Sequence, residues 1–260
     1  HDIFVLRQAD DDSILAGTDH GLFQLRPGAS AWTARTAVSS SQAGARLVKQ
    51  SARTSTGGEL NTRITALDTS GQQWFAATAN GLFSSSDAGQ NWRKEALPGV
   101  TSPASIGIAG KMIAVAGRNT IAVSVNGGES WLPCKPFAAD FVINSVAVSA
   151  AGDIWLAAHS GLYRSTDAGD SWKRITTLRL AEILSIQFDE ENHRMLVLSG
   201  ASTNIFESPD NGRTWNAINT GWPLRNLQLA RGRLLGTTAF DGVVIQPEAA
   251  SVEAMTGGAR

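Results

Sequence analysis

A single cysteine, Cys134, stands among 260 residues, which excludes an internal disulfide and leaves the redox compartment unread. Charged residues make up only 17% of the chain and sum to −1, so no global field points to nucleic acid or to an anionic surface. No run approaches the ~20 consecutive apolar residues that a membrane helix needs, and direct insertion into a membrane is not expected. There is one tyrosine, Tyr163, and His20 and His159 lie in different repeats with no clustered carboxylate pair, so a metal centre is not expected either. No GxSxG, HExxH, Walker loop or GxGxxG stands in a suitable context, and no cofactor is implied. The chain starts at His1 rather than Met, and HDIFVLRQADDD has neither a basic region nor a long apolar run. The expectation is an exported protein, periplasmic or extracellular, with its leader removed.

What the chain does have is glycine, 26 of them spread evenly, and enough apolar residues (42%) for a sizeable core. It also repeats itself. SSDAGQNW from Ser85, SVNGGESW from Ser124, STDAGDSW from Ser165 and SPDNGRTW from Ser208 all fit Ser-x-Asp/Asn-x-Gly-x-x-Trp. Their tryptophans, at 92, 131, 172 and 215, are 39, 41 and 43 residues apart. A period near 40 belongs to four-stranded propeller blades.

Each unit holds four short runs rich in Ile, Val, Phe and Trp, separated by Gly, Asn, Asp and Ser. In the second unit they are ITALDT, QQWFAAT, GLFSS and, after the turn, WRKEAL. That composition reads as a four-stranded meander. Two degenerate copies flank the four good ones. The first runs IFVLRQ, SILAGT, GLFQL, WTART with its box decayed to LRPGASAW, ending at Trp32, and the last runs LRNLQLA, RLLGTT, GVVIQ, SVEAMT. The expected fold is all-β: a single propeller domain over residues 1–260, of about six four-stranded blades, with seven as the alternative.

The repeated motif resembles the Asp-box, or BNR repeat, of sialidases, sortilin-like receptors, xyloglucanases and the photosystem II stability/assembly factor family. The resemblance covers nearly the whole chain except residues 36–60. It implies that the box is a structural hairpin turn lying far from the functional face. Asp87, Asp167 and Asp210 would accept backbone N–H groups in that turn, Gly89, Gly169 and Gly212 would take left-handed backbone, and the box tryptophans would pack between blades.

By the same resemblance, function belongs to the face carrying the loops between second and third strands and the loops between blades. Candidate residues there are Asp19, His20, Asn80, Arg118, His159, Asn204 and Asp241, at equivalent places in successive blades. The plain alternative is that they are turn residues, as Asn80-Gly81 and Asp241-Gly242 suggest. The inter-blade loop at 36–60 is unusually long and carries Arg46, Lys49 and Arg53, flanked by Arg35 and Arg63, against Glu59 alone. It reads as a disordered stretch or as a basic arm for a partner. Other loops of this face bring Phe137, Phe141, Trp222 and Phe240, an apolar and basic surface suited to a protein partner.

Some propellers with this motif are glycosidases. Tyr163 sits at the place Phe23 and Phe83 hold in their repeats, so it reads as a core residue rather than a sialidase nucleophile. Among the candidate turns only Arg118 offers an arginine, short of the triad that the sialidase pattern implies. Asp19 and Asp241 are the only carboxylates in these turns, the one pair a glycosidase would have. Lectin propellers repeat one sugar site per blade, whereas these loops differ from blade to blade. The likeness is strongest to the assembly factor family, which implies a non-enzymatic scaffold acting on a protein partner, a membrane-protein complex included. A carbohydrate-binding or glycoside-hydrolase propeller is the alternative.

Overall fold

The computed structural model describes residues 2–36, 60–135, 137, 140–190, 192–200, 202–221, 223–230, 233–238 and 243–245. The first blade is β1 (Ile3–Gln8), β2 (Ile14–Thr18), β3 (Gly21–Leu25) and β4 (Thr33–Ala34). The second is β5 (Ile64–Ser70), β6 (Gln73–Thr78), β7 (Gly81–Ser85) and β8 (Arg93–Lys94). The third is β9 (Ser105–Ala109), β10 (Met112–Ala116), β11 (Ile121–Ser124) and β12 (Leu132–Pro133). The fourth is β13 (Ile143–Val148), β14 (Ile154–Ala158), β15 (Gly161–Ser165) and β16 (Lys173–Arg174). The fifth is β17 (Ile183–Asp189), β18 (Arg194–Ser199), β19 (Asn204–Ser208) and β20 (Asn216–Asn219). The sixth sheet is β21 (Leu224–Ala230), β22 (Arg233–Thr238) and β23 (Val243–Ile245).

Every sheet is an antiparallel meander in chain order. The first strands touch in turn, β1 to β5, β9, β13, β17 and β21, and β21 touches β1 again. The result is an all-β propeller of five four-stranded blades and one sheet that is three-stranded among the described residues. The fourth strand expected at SVEAMT, and the loop at 36–60 read as a disordered stretch or a basic arm, lie outside the described residues apart from Thr36 and Leu60.

The second strand of each blade is sandwiched, which is why QWFAAT and IWLAA are buried almost throughout. Cores form between blades rather than within them. Leu15 and Leu22 of the first blade share a cluster with Trp74, Phe83 and Trp92 of the second. Trp155 and Ala157 of the fourth share another with Ile183, Ile186 and Val197 of the fifth. Blades converge toward the axis, so small residues sit where they nearly touch. A Cβ on Gly107 would lie 2.8 Å from the Ala147 Cα, and one on Gly17 would lie 2.8 Å from Ile64 Cγ2 of the next blade. Outer strands β4, β8, β12 and β16 are two residues long and exposed. Edges so short offer little to a pairing strand.

The four Ser-x-Asp/Asn turns share one bonding scheme. The serine hydroxyl accepts the glycine N–H, at 2.9, 2.8, 2.8 and 2.7 Å for Gly89, Gly128, Gly169 and Gly212. It donates in turn to Oδ1 of Asp87, Asn126, Asp167 and Asp210 at 2.7–3.0 Å. That Oδ1 accepts the N–H four residues on, from Asn91, Ser130, Ser171 and Thr214. The aspartates accept backbone N–H groups as expected, and the serine, which the sequence reading gave no role, links aspartate to glycine. Ala88, Ala168 and Asn211 join the following glycine in left-handed backbone, at φ near 55°, which the saturated turn holds in place.

Hydrogen bonds from Ser171 and Thr214 hold the Asp167 and Asp210 carboxyls down at about 2; at Asp87 partial burial opposes the bonds from Asn91, Ser85 and Gln90, which prevail and give the same value. Depressed folded values mean stability that is present above the unfolded value of 3.8 and lost as pH falls through about 2. Replacing all three aspartates by alanine is expected to lower the melting temperature at pH 7. The gap to wild type is expected to shrink between pH 4 and pH 2. A gap of constant size over that range would mean these carboxylates do not stabilise the turns through their charge.

Candidate functional site

Bonds between turns establish the two faces. Gly127 N donates to Lys111 O at 2.9 Å and Ala88 N to Gln72 O at 3.0 Å, joining the Ser-x-Asp/Asn turns to the turns after the first strands. On the opposite face Ile143 N donates to Arg118 O at 2.7 Å and Glu182 N to His159 O at 2.8 Å, joining second-to-third-strand turns to the inter-blade loops.

Asp19, His20, Asn80, Arg118 and His159 all lie in these turns on the loop face, and Asn204 lies at its edge. The two histidines face carboxylates, and the others are held through their backbone. His20 Nδ1 is 2.8 Å from Asp19 Oδ1, and this hydrogen bond lowers the Asp19 carboxyl. His159 Nδ1 is 3.9 Å from Glu182 Oε1. Asn80 N donates to Thr78 Oγ1 at 3.0 Å. Asn204 is a strand residue rather than a turn residue: it opens β19, its Cα opposite Asn219, with its N–H on Ser202 Oγ at 3.0 Å. Arg46, Lys49, Arg53, Trp222 and Asp241 lie outside the described residues. The aromatic pair Phe137 and Phe141 is half-buried, the rings stacked at 4.3 Å and packed on Trp172 and Tyr163, so it fills a seam between blades more than it offers a surface.

None of the described turn candidates lines the central channel, because their turns sit one strand out from the axis. The channel, about 1020 Å³, is walled by the six first strands. In five of them the pairing slips by one residue near the loop-face end, between Ile3 and Val5, Ile64 and Ala66, Ile143 and Ser145, Ile183 and Ser185, Leu224 and Asn226. Such a bulge re-aims the extra side chain. The extra residues are Phe4, Thr65, Asn144, Leu184 and Arg225, all lining the channel at its loop-face mouth. The sequence reading missed this circle. Its only signal was a residue that breaks alternation at the second position of each first strand, as in INSVAV and LRNLQLA. The five are chemically unlike: Phe4 is capped by the Arg63 guanidinium 3.7 Å above its ring, and Arg225 is exposed.

One tier lower, residues in equivalent register are Arg7, Asp68, Gly107, Ala147, Gln187 and Gln228. Arg7 Nη2 lies 2.6 Å from Asp68 Oδ1. Asp68 also accepts Thr69 N at 2.8 Å and Ile108 N at 3.1 Å, so it ties three blades together. Burial pushes its carboxyl up, against the pull of Arg7. Channel-wall polar groups of the second to fourth blades are largely committed to such stitching. Thr65 Oγ1 donates to Pro103 O at 3.0 Å, Ser105 Oγ accepts Val146 N at 2.9 Å, and Asn144 Nδ2 donates to Ile183 O at 2.7 Å.

No family model matches the chain. It is 28% identical over 166 residues to the photosystem II assembly lipoprotein Ycf48 of Synechococcus sp. (strain CC9902), covering 61% of this chain and 49% of that protein. It is 29% identical over 164 residues to a probable oligoxyloglucan-reducing end-specific xyloglucanase of Neosartorya fischeri, covering 55% of this chain and 20% of that protein. A solved structure of Ycf48 bound to D1 peptide superposes with a TM-score of 0.58 over 88% of this chain and 73% of that one, at 16% identity. The chain thus spans about half the length of the first of these relatives and a fifth of the second. It is a β-propeller distantly related to Ycf48 and to glycoside-hydrolase propellers.

Proposed function

We propose that this propeller is a non-catalytic scaffold that holds a protein partner, a membrane-protein complex included, on its loop face. The observation that carries the reading is the mouth of the channel, where bulges set Phe4, Thr65, Asn144, Leu184 and Arg225 in one asymmetric circle. Unlike side chains in equivalent positions suit one irregular polypeptide surface better than a repeated small ligand. The relationship to an assembly lipoprotein supports it, and so does the peptide bound to a propeller of the same fold. On this reading the protein works outside the cytoplasm. Asp19, His20, Asn80, Arg118, His159 and Asn204 form the outer circle of the contact.

The test is site-specific photo-crosslinking in the source cell. A photoreactive residue at Thr65 or Arg118 is expected to give a discrete protein adduct, and one at Arg213 on the opposite face none. Adducts from Arg213 alone would overturn the reading. So would hydrolysis of xyloglucan oligosaccharides by the purified chain, since a xyloglucanase is matched at similar identity.

A further inference from the structure

The chain as a whole sums to −1, but the fold sorts its charges by face. Arg63, Arg118, Arg179 and Arg225 are exposed on the loop face, and none of the four has an ion pair among the described residues. Lys94 and Arg174, on outer strands, lean to the same face. A Cβ on Gly81 would lie 3.4 Å from Lys94 Cε, and Arg174 Nη2 donates to Ser160 O at 2.9 Å. The described carboxylates of this face are fewer: Asp19 and Glu182 stand beside His20 and His159, and Asp2 and Asp140 are exposed. The opposite face has the reverse balance. Asp10, Asp11, Asp12, Glu129 and Glu190 are exposed in its turns, besides the three aspartates of the repeated turns. Of the cations near them, Arg164 and Arg194 are paired with Asp153 and Asp189, which leaves Arg26, Lys111 and Arg213 among the described residues. A sum near zero hides one basic face and one acidic face.

The placement of the cations says what they suit. Arg63 precedes β5, Arg118 follows β10, Arg179 precedes β17 and Arg225 lies in β21, so they are spread around the ring instead of converging on a point. A site for one carboxylate or phosphate brings guanidiniums together in a fork. Charges spread over one plane match an extended anionic plane. Ile3, 54% exposed, stands at the same face, beside the bond from Asp19 N to Asp2 O. The other exposed large apolar residues among those described, Trp32, Val125 and Leu132, sit on outer strands or toward the opposite face. Basic groups held in one plane, with an apolar side chain at their edge, meet lipid headgroups and the boundary beneath them.

We infer that the loop face docks on the surface of an anionic lipid bilayer, held by Arg63, Arg118, Arg179 and Arg225, with the acidic face turned away. The acidic face sets the orientation, because an anionic surface repels it. Contact is made at the level of the headgroups, and no strand enters the hydrocarbon. The inference goes beyond the protein partner proposed above: it names the surface on which that partner is met, and the docking itself needs no partner.

The probe is a pair of vesicle preparations, phosphatidylcholine alone and an equal mixture with phosphatidylglycerol, sedimented with the full chain. Binding is expected to the mixed vesicles only, and to fall steeply as salt rises. Arg118→Gln, Arg179→Gln and Arg225→Gln are each expected to weaken it roughly fivefold, and the three together on the order of a hundredfold. Lysine at the same places is expected to keep binding, because a plane of charge needs no guanidinium fork. Arg213→Gln, on the acidic face, is expected to change nothing. Unchanged melting temperatures check the variants, and the lysine series serves where a glutamine variant fails to fold. Equal binding to both preparations, none to the mixed vesicles at low salt, or an equal loss from Arg213→Gln would overturn the inference. Capture by soluble polyglutamate in place of the mixed vesicles would also overturn it and assign the face to an acidic protein. The vesicles hold no protein, so their failure beside an intact loop-face crosslink removes this inference and leaves the proposed function standing. Loss of the crosslink beside intact vesicle binding does the reverse.

Discussion

Replacing Trp92 with alanine is expected to destabilise the propeller by about 3–5 kcal/mol. Trp92 has no exposed surface. Its ring lies in the cluster that holds Leu15 and Leu22 of the first blade against Trp74 and Phe83 of the second. Its Nε1 donates to Gly89 O at 3.2 Å, which fastens the ring to its own turn. Truncation leaves a void between two sheets that cannot collapse, because each is held by its own ladder. The comparison that gives the prediction its edge is with the other tryptophans. Trp131, Trp172 and Trp215 are only half-buried and should cost less, while Trp32, 44% exposed, should cost under about 1 kcal/mol. Urea unfolding of the five variants checks the order. Equal losses at Trp92 and Trp32 would mean that packing between blades is not what the tryptophan supplies.

Replacing Arg7 with methionine is the second large effect, about 3 kcal/mol at pH 7. Removing one member of a buried pair costs roughly 3–5 kcal/mol because the other charge is left behind. Arg7 keeps 29% of its side chain exposed, which puts the expectation at the low end. The loss should depend on pH, and its sign follows from Asp68. Burial already raises that carboxyl in the folded protein, and losing Arg7 raises it further. The folded variant then takes up a proton more readily than the unfolded chain, so its deficit shrinks as pH falls from 7 toward 5. A deficit that holds constant over that range would show that Asp68 stays charged without its partner, hydrated from the channel. Asp68→Asn in the Arg7→Met background is expected to recover part of the stability at pH 7.

Fold and repeat were legible because they are written many times. Four copies of one turn, each with Ser, Asp or Asn, Gly and Trp in register, over-determine a four-stranded unit, and alternating Ile and Val fill in the strands. The mouth of the channel was not legible. A bulge is a slip of one residue in pairing, and pairing depends on a partner strand that the local sequence does not display. Thr65, Asn144 and Arg225 therefore looked like ordinary strand residues. The turn residues attracted notice instead, since Asp, His and Asn beside glycine are conspicuous. His20 and His159 turn out to face Asp19 and Glu182 within the outer circle, one strand from the axis. Asp68 was hidden for a different reason: its value lies in bonds to Arg7 and Ile108, residues 61 positions before it and 40 after.

The ring is closed by β1 lying against β21, and among the described residues no strand from one end of the circle pairs with the sheet at the other. Almost every other contact is made within a blade or with the next one along. Folding can therefore advance in the direction of synthesis, each sheet docking on a finished neighbour, with little chain entropy spent per step. The exception is the last seam, which must bring residues 3–8 to residues 224–230. That seam spends the most chain entropy of any in the ring.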